Sequence, residues 1–515
     1  MKLTLPVCLR KALLAHLALG AAFVFSVPAT AESDKVVTED FTESTSATYS
    51  DVTVSPGVLW TVAESVKVSA DAVAAEEGAV LLESGAQLKV YESAAIGTLT
   101  LDAHADFKLA YRKCATINNL ILRSGAQLSS EYGEADFRLG KIVLDTFVAP
   151  AEISGYKITL NESVSSLQTG EYSDSHVSVL EFHVETLSLD GLAGIDPSAK
   201  IRLMDCGVLS VQQDVCLNSA QFEIYSSQQS HNELNAKLTL AGYSGLDLAM
   251  VDGENGTLVV GVDKEGGASF ITSSESFASA LQIATNSSAD FKSTTLTGDS
   301  FLYGSLETTD LVLNEGVSLS GTGKLSVTGT TSMADSAEIS LADNLYLSLG
   351  AVTGSGTLVL GDGTSTADTA ATAASFTGML DIKSDAQLGV GGETSLAGKS
   401  TSYGCLTTDS LTLLENAQFD IYDAGKLSAP LILDLNSNAQ LNFHSTNLAD
   451  FLNSMGEKSI TLESGSILYG QGDLVVDDNV RALFDKFEGC LSVSGTLTYV
   501  SDENDSAAVV ASIVK

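Results

Sequence analysis

The sequence predicts an all-β chain wound as a right-handed parallel β-solenoid. Three observations carry this: a short strand–turn–strand unit recurs along most of the chain, a longer block returns a hundred residues downstream, and the linkers of a multidomain protein are absent. Only 6 of 515 residues are proline. The length alone would suggest about three ordinary domains, so the pattern within it is the better guide.

The unit is seen in AVLLESGAQLKVY (79–91), NLILRSGAQLSSE (119–131), DLVLNEGVSLSGT (310–322), SLTLLENAQFDIY (410–422) and SITLESGSILYGQ (459–471), with looser copies at 380–391 and 433–444. Leu or Ile at every second position points one way from an extended strand, and the polar residues between point the other. Ser-Gly, Asn-Glu-Gly or Ser-Asn then supplies the backbone freedom for a bend. One unit has a single thin apolar face, so copies must stack to bury it. The longer echo matches the block starting Tyr303-Gly304 with the one starting Tyr403-Gly404, and Gly-Lys-Leu-Ser follows each copy, at 323–326 and 425–428.

In chain order, residues 1–31 have the layout of a signal peptide. Lys2, Arg10 and Lys11 precede an apolar run over 12–27, then Pro28 and the small-residue site Ala29-Thr30-Ala31. Cleavage is expected between Ala31 and Glu32. Cys8 precedes the apolar run, so it is not read as a lipid-attachment site. A first solenoid segment is expected over 32–267, closed by an antiparallel hairpin cap at 239–267 with turns at 252–256 and 263–267. A second is expected over 268–515, closed by a hairpin at 490–515. Short helices are expected at 446–456 and 480–487.

The formal net charge is −39, and every charged residue of the signal segment is basic, so the mature chain is more acidic still. Nucleic acid, sulfated sugars and anionic lipid are poor partners for such a surface, because binding them needs Lys and Arg to neutralise phosphate or sulfate. With 44 % hydrophobic residues and a mean hydropathy of +0.19, the acidity does not imply disorder. Five cysteines follow the signal, at 114, 206, 216, 405 and 490. Cys206 and Cys216 are close enough to bridge neighbouring strands in an exported protein, with burial as free thiols the alternative.

These LxLxxGAxLxV units resemble, over residues 52–500, the passenger regions of autotransporters and the autotransporter-associated β-strand repeat proteins. The resemblance implies a surface-displayed or released stalk, often adhesive and more rarely carrying a hydrolase or protease. Such proteins also carry an aromatic-girdled membrane barrel; with 6 % aromatics and one Trp, at position 60, this chain is expected to rely on another protein for display.

For chemistry, the best constellation is Asp102-Ala103-His104-Ala105-Asp106. Strand alternation would place Asp102, His104 and Asp106 on one face, where two carboxylates and an imidazole could hold a divalent metal. An ordinary polar strand face is the competing interpretation. Acidic turns at 252–254, 477–478 and 502–505 could bind calcium weakly but lack EF-hand spacing, and no other cofactor is expected. A β-helix lyase or glycoside hydrolase would need paired acids with basic residues and sugar-stacking aromatics. No segment gathers Arg, Lys and His, and the aromatics are scattered along the chain. The expectation is therefore an exported, non-catalytic structural or adhesive protein with a surface or host partner, glycan or protein. A glycan-acting enzyme and a subunit of a surface layer or sheath are the alternatives.

Overall fold

A computed structural model describes residues 33–500, except 147–148, 168–176, 225–230, 244, 249, 263–268, 345, 365–367, 423–424, 429 and 456–457. The export segment and its expected cleavage point, Ala31 and Glu32, lie outside the described residues, as do the turns at 263–267 and 502–505. The chain is a β-solenoid of about 20 turns, 65 % strand and 4 % helix, and among the described residues all strand pairings are parallel.

Each coil is a triangle of three short strand segments. Residues 98–101, 106–109 and 114–117 form one coil, and each segment pairs in register with its counterparts in the coils before and after. Alternation sends one residue of each pair inward. Val62, Leu82, Leu101, Leu122 and Leu144 stack as one fully buried column, and Leu88, Phe107 and Leu128 as another. Each such Leu adds about 1.5–3 kcal/mol of burial, and none would be buried without its neighbours above and below.

The recurring Ser-Gly-Ala is a four-residue turn. Ala86 N donates to Glu83 O and Ala126 N to Arg123 O, with Gly85 and Gly125 both at φ +69°. A positive φ at the third position of a turn is cheap for glycine, and the fourth residue, Ala86 or Ala126, drops fully into the core. Sequence could not show that this turn serves two different corners. At 83–86 and 123–126 it joins the first segment to the second, whereas at 314–317 and 414–417 it joins the third to the first of the next coil.

The hundred-residue echo is five coils. Phe301 pairs with Ser320, Ser320 with Ser340, Ser340 with Val359, Val359 with Asp381, and Asp381 with Thr401. The copies agree in detail: Thr294 and Thr308 bond each other inside the core at 3.1 Å, and Thr394 and Thr408 at 2.8 Å. Ser300 and Ser400 accept from Leu281 N and Leu380 N, both at 3.0 Å. Gly304 and Gly404 lie where a Cβ would strike the carbonyls of Ser287 and Ala386, which explains the glycine that both copies of the echo keep.

Three expectations need correction. The stretch 239–267 is not an antiparallel hairpin. Lys237–Ala241 pairs in parallel with Val251–Val260, which pairs in parallel with Phe270–Ile283, and residues 252–256 form a register shift within that ladder. The C-terminal hairpin is likewise replaced, within the described residues, by two parallel pairings: Cys490–Val493 with Ile467–Gln471, and Leu497–Tyr499 with Leu474–Val476. Of the two helices, Leu448–Met455 forms and buries Leu448, Phe451, Leu452 and Met455. The second is only Asp478–Ala482, because Phe484–Phe487 pairs as a strand with Ser459–Leu462.

Candidate functional site

The three residues singled out as a conceivable metal triad, Asp102, His104 and Asp106, are not brought together. Asp102 to Ala105 is one of the solenoid's turns, closed by Ala105 N donating to Asp102 O at 2.9 Å, and His104 takes the left-handed position at φ +60°. Strand alternation ends at Leu101, so the three side chains do not share a strand face. Asp102 is ion-paired with Arg123, and Asp106 accepts from Gln87 at 2.8 Å and Ser129 at 3.1 Å. Among the described residues no three His, Cys, Asp or Glu side chains are grouped to hold a metal ion. The acidic turn at 477–478 has a local role, with Asp477 capping Val480 N at 2.9 Å and Asp478 facing Arg481 at 3.4 Å.

Of the two alternatives for Cys206 and Cys216, a bridge or free thiols, the structure has free thiols, as it does for all five described cysteines. Cys206 is 2 % exposed and donates to Val208 O at 3.1 Å. Burial pushes its thiol up to about 11. Cys216 lies on the outward side of Val215–Asn218. One sulfur faces the core and the other solvent, so no rotamer joins them.

What sequence reasoning missed is produced by the coil repeat. Tyrosines scattered along the chain are brought together at two corners. The first row lies between the second and third segments of four successive coils: Tyr91 follows residues 87–90, Tyr111 follows 106–109, Tyr132 follows 127–130 and Tyr156 follows 151–155. The signal was there in principle, since these tyrosines recur about one coil apart. All four are exposed, Tyr132 by 88 % and Tyr156 by 51 %. Tyr132 sits at φ +61° in the short turn Glu131–Gly133, an uncommon conformation for a bulky residue. Its ring meets Tyr111 edge-on, with centroids 6.3 Å apart.

Cations surround these rings. Arg112 lies over Tyr111 at 4.8 Å and Lys89 over Tyr91 at 4.6 Å. Each is also matched by an acid: Arg112 Nε with Glu134 at 3.2 Å, Lys113 with Glu92 at 2.6 Å, and Lys89 with Glu131. The hydrogen bond to Glu134, and to a lesser degree burial, raises the Tyr111 phenol above its ordinary value. Beside the Arg112–Glu134 pair opens a cleft of about 520 Å³, lined by Arg112, Lys113, Cys114, Glu134, Asp136 and Tyr156.

The second row has a different geometry. Tyr403 and Tyr422 stack with centroids 5.1 Å apart and planes 16° apart, and Tyr422 and His444 at 4.3 Å and 4°. Tyr469 tilts by 55° at the end. These rings cover one another's faces. Beneath them Asp420, 1 % exposed, accepts from His444 Nε2 at 2.9 Å, Asn442 at 2.8 Å and Gln418 at 2.7 Å. Burial alone would raise the Asp420 carboxyl, but the bonds from His444, Asn442 and Gln418 outweigh it and lower it. A second cleft, of about 390 Å³ and mostly apolar, lies beside Phe301 and Tyr303.

No protein-family model matches the chain, and neither the curated proteins nor the solved structures give a match.

Proposed function

We propose that this is an exported, non-catalytic structural or adhesive protein of the cell surface, whose solenoid is a rigid spacer holding side chains out to a partner. The observation that carries this reading is the exposed tyrosine corner at 91, 111, 132 and 156, a patch of amphipathic rings of the kind enriched where proteins bind partners. An unbroken parallel ladder gives that patch a stiff support, and the acidic surface keeps such a long object soluble.

A second reading, a glycan-acting β-helix enzyme, is favoured by one observation: the His444–Asp420 pair is an imidazole held by a buried carboxylate. Asp420→Asn separates the two, abolishing turnover of any substrate under the enzyme reading and leaving display and binding intact under the first.

Localisation is tested by fractionating the native cell and sequencing the N-terminus of the mature chain. We expect a chain starting at Glu32 on the outer surface, sensitive to protease added to whole cells. An uncleaved chain in the cytoplasm would overturn the proposal.

A further inference from the structure

We infer that the cleft at the tyrosine corner is a binding site for an uncharged oligosaccharide. This rests on the reading of the chain as a binding protein and names the ligand class that its corner accepts.

Three features of the corner choose the ligand. The first is shape, because a concavity of about 520 Å³ is the size of sites that enclose small molecules and short chains, whereas protein partners favour flatter patches. The second is charge balance. The two cations that line the cleft, Arg112 and Lys113, are each offset by a carboxylate, so it has no surplus cation for an anionic sugar. These pairs nonetheless keep N–H donors and carboxylate oxygens exposed, and a polyhydroxylated ligand needs both donors and acceptors. The third is ring access. Tyr156 on the cleft wall and Tyr132, outside the lining but two residues before the lining Glu134, leave ring surface open to solvent, and an apolar ring beside fixed polar groups suits a pyranose, which has apolar C–H faces and a polar rim. The stacked row at Tyr403, Tyr422 and His444 lacks that access, because its rings face each other.

Cys114 provides a built-in reporter, since it is an exposed thiol on the cleft wall, and Cys216 is an exposed thiol elsewhere. The experiment uses the purified mature chain, with iodoacetamide alkylation of both cysteines followed by mass spectrometry. Cello-, xylo-, malto-, manno- and chitohexaose are the probes, with hexagalacturonate and a tyrosine-free acidic peptide as charged comparators. We expect at least one neutral hexasaccharide to slow alkylation of Cys114 severalfold and leave Cys216 unchanged. Tyr156→Ala, on the cleft wall, and Tyr132→Ala, beside it, should each raise the hexasaccharide concentration that half-protects Cys114 roughly tenfold. Tyr403→Ala, in the stacked row, should leave it intact. Because Tyr132 is almost fully exposed, its truncation should not affect folding, and an unchanged melting curve checks this.

The inference is overturned if no neutral hexasaccharide protects Cys114, if only a charged probe does, or if protection survives both tyrosine truncations. Failure here leaves the surface localisation unaffected, and a cytoplasmic location would leave a positive sugar result standing, so the two readings fail separately.

Discussion

His104 shows how a turn can look like a ligand. The coils beside it place Gly85 and Gly125 at the same corner, and the backbone links run from Gly85 N to Ala103 O and from His104 N to Ser124 O. The position demands a left-handed backbone, which costs a non-glycine residue about 1 kcal/mol. His104→Gly should therefore keep or slightly raise the urea midpoint, whereas Gly85→Ala, at φ +69°, should lower stability by about 1 kcal/mol. A loss of stability in His104→Gly would instead show that the imidazole has a role of its own. Asp420 gives a pH prediction. Its folded carboxyl is lowered by its three donors, so its stabilisation is present above the ordinary carboxylate range near pH 4 and is lost as the pH falls through the lowered folded value. The stability gap between the native chain and Asp420→Asn should be widest at pH 6 and close below pH 4, measured by thermal melts across that range.

Within the repeated elements, the duplicated threonine pairs invite a direct comparison. Thr294→Val and Thr394→Val each remove one hydroxyl from a buried Thr–Thr hydrogen bond. Each should cost about 1 kcal/mol, and the two costs should agree closely because the surroundings match. Unequal losses in denaturant melts would show that the five-coil copies have diverged in packing. The same elements show how far sequence could reach. Alternation and turn chemistry were plain in VLLESGAQL, because period two and a glycine bend are local properties. Which corner each turn occupies was hidden, since one turn geometry fits two corners of a triangle. The tyrosine rows were hidden for a related reason: their members are neighbours only once the coil length is known. Asp102, His104 and Asp106 were misplaced because alternation was carried past Leu101 into the turn. The supposed hairpin at 239–267 failed similarly, since acidic glycine turns punctuate parallel bulges as readily as antiparallel reversals. Charge is arranged between coils as well, with Arg123 placed between Asp102 and Asp145 and Arg202 between Glu181 and Glu223, so that acid columns stacked at strand spacing are relieved by a cation.

For the whole molecule, stability is a sum over coils and the interfaces between them. Since Phe301 and Thr401 occupy the same place on the triangle five coils apart, removing residues 300–399 joins Asp299 to Ser400 in register. The shortened chain should fold with unchanged β-sheet circular dichroism and be shorter by roughly 24 Å in solution scattering, five strand spacings. Removing 310–399 instead skips a face of the triangle and should give an aggregated product. If both deletions fold equally well, coil register does not govern assembly. The parallel ladder has a further mechanical meaning. Its interstrand hydrogen bonds run along the long axis, so tension applied between the two ends bears on one coil interface at a time. Each interface that parts releases some twenty residues, a separation typical of the bonds between adjacent coils, such as 19 for Leu59 and Asp40 and 23 for Thr496 and Asp473. That slack is roughly 60 Å for each coil lost. Under load the molecule would lengthen in steps and dissipate a sudden pull, while the coils still closed keep their shape.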